Sequence, residues 1–312
     1  MARRILITGA TGFIGRHVVE SLVSSGAQIV AVGRHPPHTY WPGVTWISVD
    51  CLDSGAPQII AASKADTLVH LAWTVEHGHF WNAPENLDWT AATLHLTRAF
   101  AAAGGRRIVG VGTCFEYDVA TAIVPLNERA DLPNPATLYG NAKDATRRLL
   151  EAFAKQASLE VAWARPFHLY GPHEDARRLV ASVAINLLKG EPAACSSGHQ
   201  QRDFMHVADA GAAVAALALS RVTGPVNIAS GEPTTVGEIA RRLGDLARRP
   251  DLIRIGDLPD RPGDPHCILA DIGRLSGEVG FAPKFSLASG LADALGWQRH
   301  ELGRNSTRTD ET

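Results

Sequence analysis

The sequence predicts an α/β protein built on a doubly wound parallel sheet, with a smaller, interleaved C-terminal lobe. Three observations carry this reading. The apolar run Ile5-Leu6-Ile7 is followed by Gly9, Gly12 and Gly15, and then by an amphipathic stretch carrying Val18, Val19, Leu22 and Val23. Short apolar runs and helical patterns alternate through the first half of the chain, which is the order that parallel strands and crossover helices require. The 312 residues, 45% of them hydrophobic, suffice for one large core or two adjoining ones.

Charge and cysteine usage narrow the function classes. The formal charge is −2, from 30 basic and 32 acidic residues spread along the chain, so neither nucleic acid nor an anionic membrane is an expected partner. Cys51, Cys114, Cys195 and Cys267 are too scattered for a paired metal site, and reduced thiols in a cytoplasmic protein are expected. The first apolar run is broken by Thr8 and Gly9, far short of a membrane or signal segment.

The elements follow in order. Arg4–Gly15 (RILITGATGFIG) reads as buried strand, glycine turn and helix start. A helix N-terminus offers unpaired N–H groups and the positive end of a dipole, so this turn suits a pyrophosphate. Gly9 allows the tight turn, Gly12 the approach of phosphates and Gly15 close helix–strand packing, although the first gap is one residue longer than in GxGxxG. Gln28–Gly33 reads as a second strand, at whose end an acidic residue would bond a ribose 2′-hydroxyl. Arg34 stands there instead and suits a 2′-phosphate, which favours NADP(H) while leaving NAD(H) open.

Val44–Val49 is a third expected strand, ending in Asp50, and Thr67–Ala72 a fourth, with His70 expected to be a satisfied core histidine. A helix is expected over Glu85–Ala103 and a fifth strand over Arg107–Val111. Beyond it lie Thr113 and Glu116, and later Tyr139 and Lys143, spaced to share one helical face. An ammonium beside a phenol favours phenolate and so lowers the phenol's pKa, equipping Tyr139 for proton transfer at an alcohol or sugar oxygen that Thr113 also holds. A sixth strand is expected over Arg165–Leu169, and a helix over Asp209–Leu219 and a strand over Pro225–Ile228 return to the same sheet. Residues 1–170, with 203–229 returning, thus form the dinucleotide-binding domain, and 171–202 and 230–300 the substrate lobe. Residues 303–312 lack apolar side chains and are expected to be a disordered tail.

Taken together, these residues resemble the extended short-chain dehydrogenase/reductases that act on nucleotide-linked sugars, a Rossmann-fold group of epimerases, dehydratases and reductases. The matching motifs are TGATGFIG, Thr113, Tyr139 with Lys143, Arg165-Pro166-Phe167, Tyr170-Gly171-Pro172, Arg202-Asp203-Phe204, Asn227 and Arg261-Pro262-Gly263-Asp264. The resemblance implies catalysis by Thr113, Tyr139 and Lys143. It implies cofactor contacts at Gly9, Thr11, Gly12, Phe13, Ile14, Arg34, Asp50, Leu71, Ala72, Asn86, Thr113, Tyr139, Lys143 and Phe167. It also implies a clamp on a substrate diphosphate by Arg202 and Arg261, further substrate contacts at Glu116 and His168, and a homodimer paired through its two long helices.

The chain departs from that group at one informative place. Its dehydratases and decarboxylases carry an acid one or two residues after the catalytic threonine, where Cys114 and Phe115 stand here. Three readings remain: an NADPH-dependent 4-ketoreductase of a nucleoside-diphosphate (deoxy)sugar, an NAD-dependent nucleotide-sugar 4-epimerase, and a non-catalytic cofactor-binding protein on the same fold.

Overall fold

A computed structural model describes residues 3–37, 40–121 and 124–309. Its strands are β1 (Arg4–Thr8), β2 (Gln28–Gly33), β3 (Val44–Ser48), β4 (Thr67–His70), β5 (Arg107–Val111), β6 (Glu160–Pro166), β7 (His168–Tyr170), β8 (Ala193–Cys195), β9 (Gln201–His206), β10 (Gly224–Ile228), β11 (Pro233–Thr235), β12 (Ile253–Ile255) and β13 (Cys267–Ile268). Its helices are α1 (Gly15–Val23), α2 (Ala56–Ala62), α3 (Glu85–Ala102), α4 (Leu138–Ala157), α5 (Leu179–Lys189), α6 (Val207–Leu219), α7 (Val236–Ala247) and α8 (Leu287–Thr309).

Seven strands form one parallel sheet in the order β10-β6-β5-β4-β1-β2-β3. Both faces are covered, which is why β1, β4 and β5 are buried almost end to end rather than alternating. On one face Ile5, Ile7 and Val109 pack with Val18 and Leu22 of α1 and Val214 and Leu217 of α6. On the other, Leu6, Leu68 and Ile108 pack with Ile60 of α2, Leu96 and Phe100 of α3 and Leu150 of α4. His70, whose place in β4 requires a satisfied ring, has both nitrogens bonded, Nδ1 to Thr8 Oγ1 at 2.8 Å and Nε2 to Thr93 Oγ1 at 2.9 Å.

The lobe has a core of its own, in which Val180, Val183 and Leu187 of α5 meet Ile239 and Leu243 of α7 and Leu291 and Leu295 of α8. Two buried carboxylates fasten it to the sheet. Asp203 in β9 accepts from Ser230 N, Ser230 Oγ and Gly231 N where the chain leaves β10, and Asp209 in α6 accepts from Lys284 N and Phe285 N ahead of α8.

Two expectations are corrected. The sixth strand starts at Glu160, and His168–Tyr170 has already left the central sheet to pair with Phe204–His206. Apolar residues dominate Val161–Leu169, interrupted by Arg165 and His168, and neither interruption marks the change of sheet at Phe167. The expected tail is likewise helical as far as Thr309, with Arg304 reaching back one turn to Glu301, while residues 310–312 lie outside the described residues. A helix's last turns need no apolar residues once earlier turns are docked.

Candidate active site

The C-terminal ends of β1, β2, β4, β5 and β6 open into a cleft of about 420 Å³ between sheet and lobe. That is the size and position of a small-molecule site in a doubly wound sheet. A larger hollow of about 870 Å³ lies between α2, α3 and α4 and holds none of the residues described next.

At one end of the cleft the glycine turn meets α1. Gly9 sits at φ +67°, a conformation that side chains avoid, and a Cβ there would lie 2.8 Å from the Ala72 backbone nitrogen. A Cβ on Gly15 would collide with the Gly9 carbonyl. The turn is thus compressed against the end of β4 and against its own helix, which seats the N-terminus of α1 at the cleft, a place that suits a dinucleotide's pyrophosphate. Thr11, Gly12, Phe13 and Ile14 line this end, with the exposed Arg34 and with Asp50 from the neighbouring strand ends, and Leu71, Ala72 and Phe167 line the middle.

At the other end, β5 terminates in a tight 3-10 turn over Cys114–Glu116, capped by Thr113. Glu116 is fully buried. Its Oε1 accepts from Thr113 N at 2.9 Å and Trp163 Nε1 at 2.8 Å, and its Oε2 pairs with Arg165 Nε at 2.8 Å. Beside this turn, Thr137 caps α4 by accepting from Gly140 N at 3.2 Å, which fixes Tyr139 in the first turn and Lys143 one turn on. Thr113, Tyr139 and Lys143 therefore converge on one wall of the cleft, with Phe80 edge-on to Tyr139 at 4.9 Å.

The electrostatics differ from the sequence expectation. Burial and the Glu116 charge push the Tyr139 phenol well above its usual range, and the hydrogen bond with Thr113 draws it back only in part. Lys143 does not acidify it. Its Nζ bonds Val111 O at 2.7 Å, lies 5.9 Å from the Tyr139 ring centre, and is itself pushed down to about 7 by burial, with Glu116 opposing. Desolvation outweighs the ammonium here, so at neutral pH Tyr139 is a protonated hydroxyl able to give a proton.

Three further expectations need correction. Asn86 is wholly buried and does not face the cleft; it accepts from Trp73 Nε1 and donates to Phe80 O and Ala83 O, each at 2.8 Å, so it shapes the loop after β4. Glu116 has both oxygens engaged internally and cannot reach a substrate. Arg202 is buried beside Asp264, its Nη2 2.7 Å from Oδ1, and so does not stand with Arg261 as an open pair. Arg261 is exposed.

His168 lies near the lobe side, its ring 6.0 Å from Phe115 and 5.8 Å from Phe204, with Nδ1 unbonded; burial, Arg202 and Arg178 push it down to about 3, so it is neutral. The guanidinium that the sequence reading missed is Arg178, at the start of α5, which lines the cleft and acts electrostatically on Tyr139. It also acts electrostatically on His77, as does Arg261. Its neighbour Glu174, 3.5 Å away, is pushed up to about 8 by burial and leaves the Arg178 charge largely uncompensated at neutral pH. Arg178 follows Arg177 at the head of an apolar run, and nothing local separates it from a surface arginine.

A parallel doubly wound sheet with a glycine cradle at one end of its cleft and a Thr–Tyr–Lys wall at the other defines a dinucleotide-dependent enzyme of the short-chain dehydrogenase/reductase type. The chain belongs to the NAD dependent epimerase/dehydratase family, whose model matches residues 5–229, and within it to the extended short-chain group that modifies nucleotide sugars. It is 28% identical to dTDP-4-dehydro-6-deoxy-D-allose reductase of Streptomyces bikiniensis, over 96% of this chain and 97% of that one. It is 27% identical to UDP-glucuronic acid decarboxylase 1 of Danio rerio, over 96% of this chain and 73% of that one. Among solved structures, that of MoeE5 in complex with UDP-glucose and NAD is similar at 30% identity and a TM-score of 0.80, covering 96% of this chain and 99% of that one. Among the described residues no helix is long and apolar enough to cross a membrane, and no group of three or more metal-ligating side chains converges.

The internal role of Glu116 predicts that Glu116→Ala, which strands Arg165 as a buried charge, lowers stability by about 3–5 kcal/mol in denaturant titration. Unchanged stability with weakened substrate binding would restore Glu116 to the cleft.

Proposed function

We propose that the protein reduces the 4-keto group of a nucleoside-diphosphate-linked (deoxy)sugar with NADPH. The carrying observation is the composition of the wall around Thr113. The two residues after it are Cys114 and Phe115, the first acid is Glu116, and both its oxygens are spent on the protein. The wall thus offers a hydroxyl and a protonated phenol, and lacks the acid that an elimination or decarboxylation would use.

In this reading the substrate oxygen lies between Thr113, which donates a hydrogen bond to it, and Tyr139, which hands over its proton as negative charge develops there. The glycine turn, Arg34 and Lys143 would hold a nicotinamide dinucleotide, which would supply the hydride when bound. Phe80 and Phe115 give the sugar an apolar surface that suits a deoxygenated carbon better than a hydroxyl. Arg178 on the cleft wall and the exposed Arg261 hold the diphosphate, for which their planar forks are suited.

A second reading is supported by the NAD in the MoeE5 complex: an NAD-dependent 4-epimerase would use the same three residues in alternating directions. The non-catalytic reading is disfavoured by the convergence of Thr113, Tyr139 and Lys143 on one cleft. The four cysteines are free thiols, in keeping with a cytoplasmic enzyme. A homodimer through α3 and α4 completes the proposal, because Leu87 and Leu149 project from these helices 59% and 49% exposed.

Three outcomes follow. Tyr139→Phe lowers kcat by a general-acid factor of about 10²–10⁴ in steady-state assay with substrate KM near wild type, and full activity would remove the assignment. Arg34→Ala weakens NADPH by roughly 10- to 100-fold in fluorescence titration with little change for NADH, the loss of one charged hydrogen-bond partner; equal loss for both cofactors contradicts the 2′-phosphate role. Light scattering at micromolar concentration gives twice the chain mass, and Leu87→Asp with Leu149→Asp returns it to the monomer value; a monomeric wild type rules the pairing out.

A further inference from the structure

Lys143 is almost completely buried, and among the described residues no carboxylate pairs with it. The groups that face it are His70 from β4, neutral because burial pushes it down to about 3, Tyr139 from its own helix, and the more distant Glu116 from the turn after β5. The Val111 carbonyl takes one of its protons at 2.7 Å. Its remaining close neighbour is the face of Trp73, whose ring centre lies 3.8 Å from Nζ.

Trp73 is held in that place from behind. Its Nε1 donates to Asn86 Oδ1 at 2.8 Å, and its ring stacks on Trp89 at 6.2 Å with planes 27° apart. Asn86 is itself pinned by two backbone carbonyls. A run of contacts from α3 through Asn86 to Trp73 thus sets an aromatic face under the ammonium.

We propose that Trp73 is a positioning residue for Lys143, its indole face holding the ammonium charged and directed at the cofactor side of the cleft. The proposal rests on the reading of Lys143 as a cofactor-binding lysine. An aromatic face favours a desolvated cation over the neutral amine, which offsets part of the penalty of burial. A residue lacking a π face leaves only the distant Glu116 and the Val111 carbonyl to oppose that penalty.

The test is NADPH affinity by fluorescence titration between pH 6 and roughly pH 9.5, for wild type, Trp73→Phe, Trp73→Leu and Lys143→Ala. Phe and Leu both lack the bond to Asn86, so the two variants differ chiefly in the face they offer. The expected result is an alkaline loss of affinity in the wild type, a midpoint near wild type for Trp73→Phe, and one lower by roughly one pH unit for Trp73→Leu. Trp73→Met serves in the same comparison if the leucine variant does not fold. Identical midpoints for wild type, the phenylalanine variant and the aliphatic variant overturn the proposal. A Lys143→Ala protein that keeps both the affinity and the alkaline limb overturns instead the reading of Lys143 on which it stands.

Discussion

The structure around the cleft depends on one buried ion pair. Glu116 and Arg165 meet with side chains 0% and 1% exposed, and two charges removed from water in this way persist only when their other valences are met. Here they largely are: Glu116 also takes the Thr113 N–H and the Trp163 indole, and Arg165 lies over the Tyr117 ring at 4.5 Å. The pair joins the end of β5 to β6 and folds the three residues after Thr113 into a tight turn. That turn puts the Thr113 hydroxyl on the cleft wall. It also carries the Phe115 carbonyl up against Gly140, where a Cβ would collide with it, and so seats the first turn of α4 and Tyr139 with it. The wall proposed to be catalytic follows from a carboxylate that is wholly internal.

Burial sets the chemistry of that wall as well. It raises the Tyr139 phenol and lowers Lys143 to about 7, so the two are not an activated phenolate and its partner but a neutral donor and a lysine poised near its midpoint. Such an arrangement suits giving a proton to an oxygen that gains charge as a carbonyl is reduced. A guanidinium is supplied separately on the lobe side by Arg178, where Glu174, raised to about 8 by burial, leaves Arg178 its charge. In the proposed reading, a chain of net charge −2 thereby places positive charge where a substrate diphosphate would lie.

What the sequence revealed was whatever local spacing controls. The glycine turn, the strand–helix alternation and the pairing of Tyr139 with Lys143 depend on residues within one or two turns of each other, and the structure places them on one cleft. Residues whose partners are distant were misread. Glu116 pairs with a residue 49 positions away and Asn86 with an indole 13 away, so nothing in their own neighbourhoods marks them as internal supports. Arg202 resembles a substrate residue by motif, yet Asp264, 62 positions on, engages it. The change of sheet at Phe167 was hidden because each of the two strands mixes apolar residues with polar side chains, Arg165 in β6 and His168 in β7 among them, and Arg178 because an arginine's exposure to a cleft rather than to bulk water is decided by the lobe folded over it.

The central claim is that this cleft carries out a net reduction at a sugar carbonyl. The most direct measurement is a single turnover with NADPH bearing deuterium at the transferable position and a 4-keto-6-deoxy nucleoside-diphosphate sugar, followed by mass spectrometry of both products. The account predicts one deuterium at the new carbinol carbon of the sugar and one equivalent of oxidised cofactor for each sugar consumed. A sugar recovered with inverted configuration, no deuterium and unchanged cofactor would contradict it and establish the epimerase.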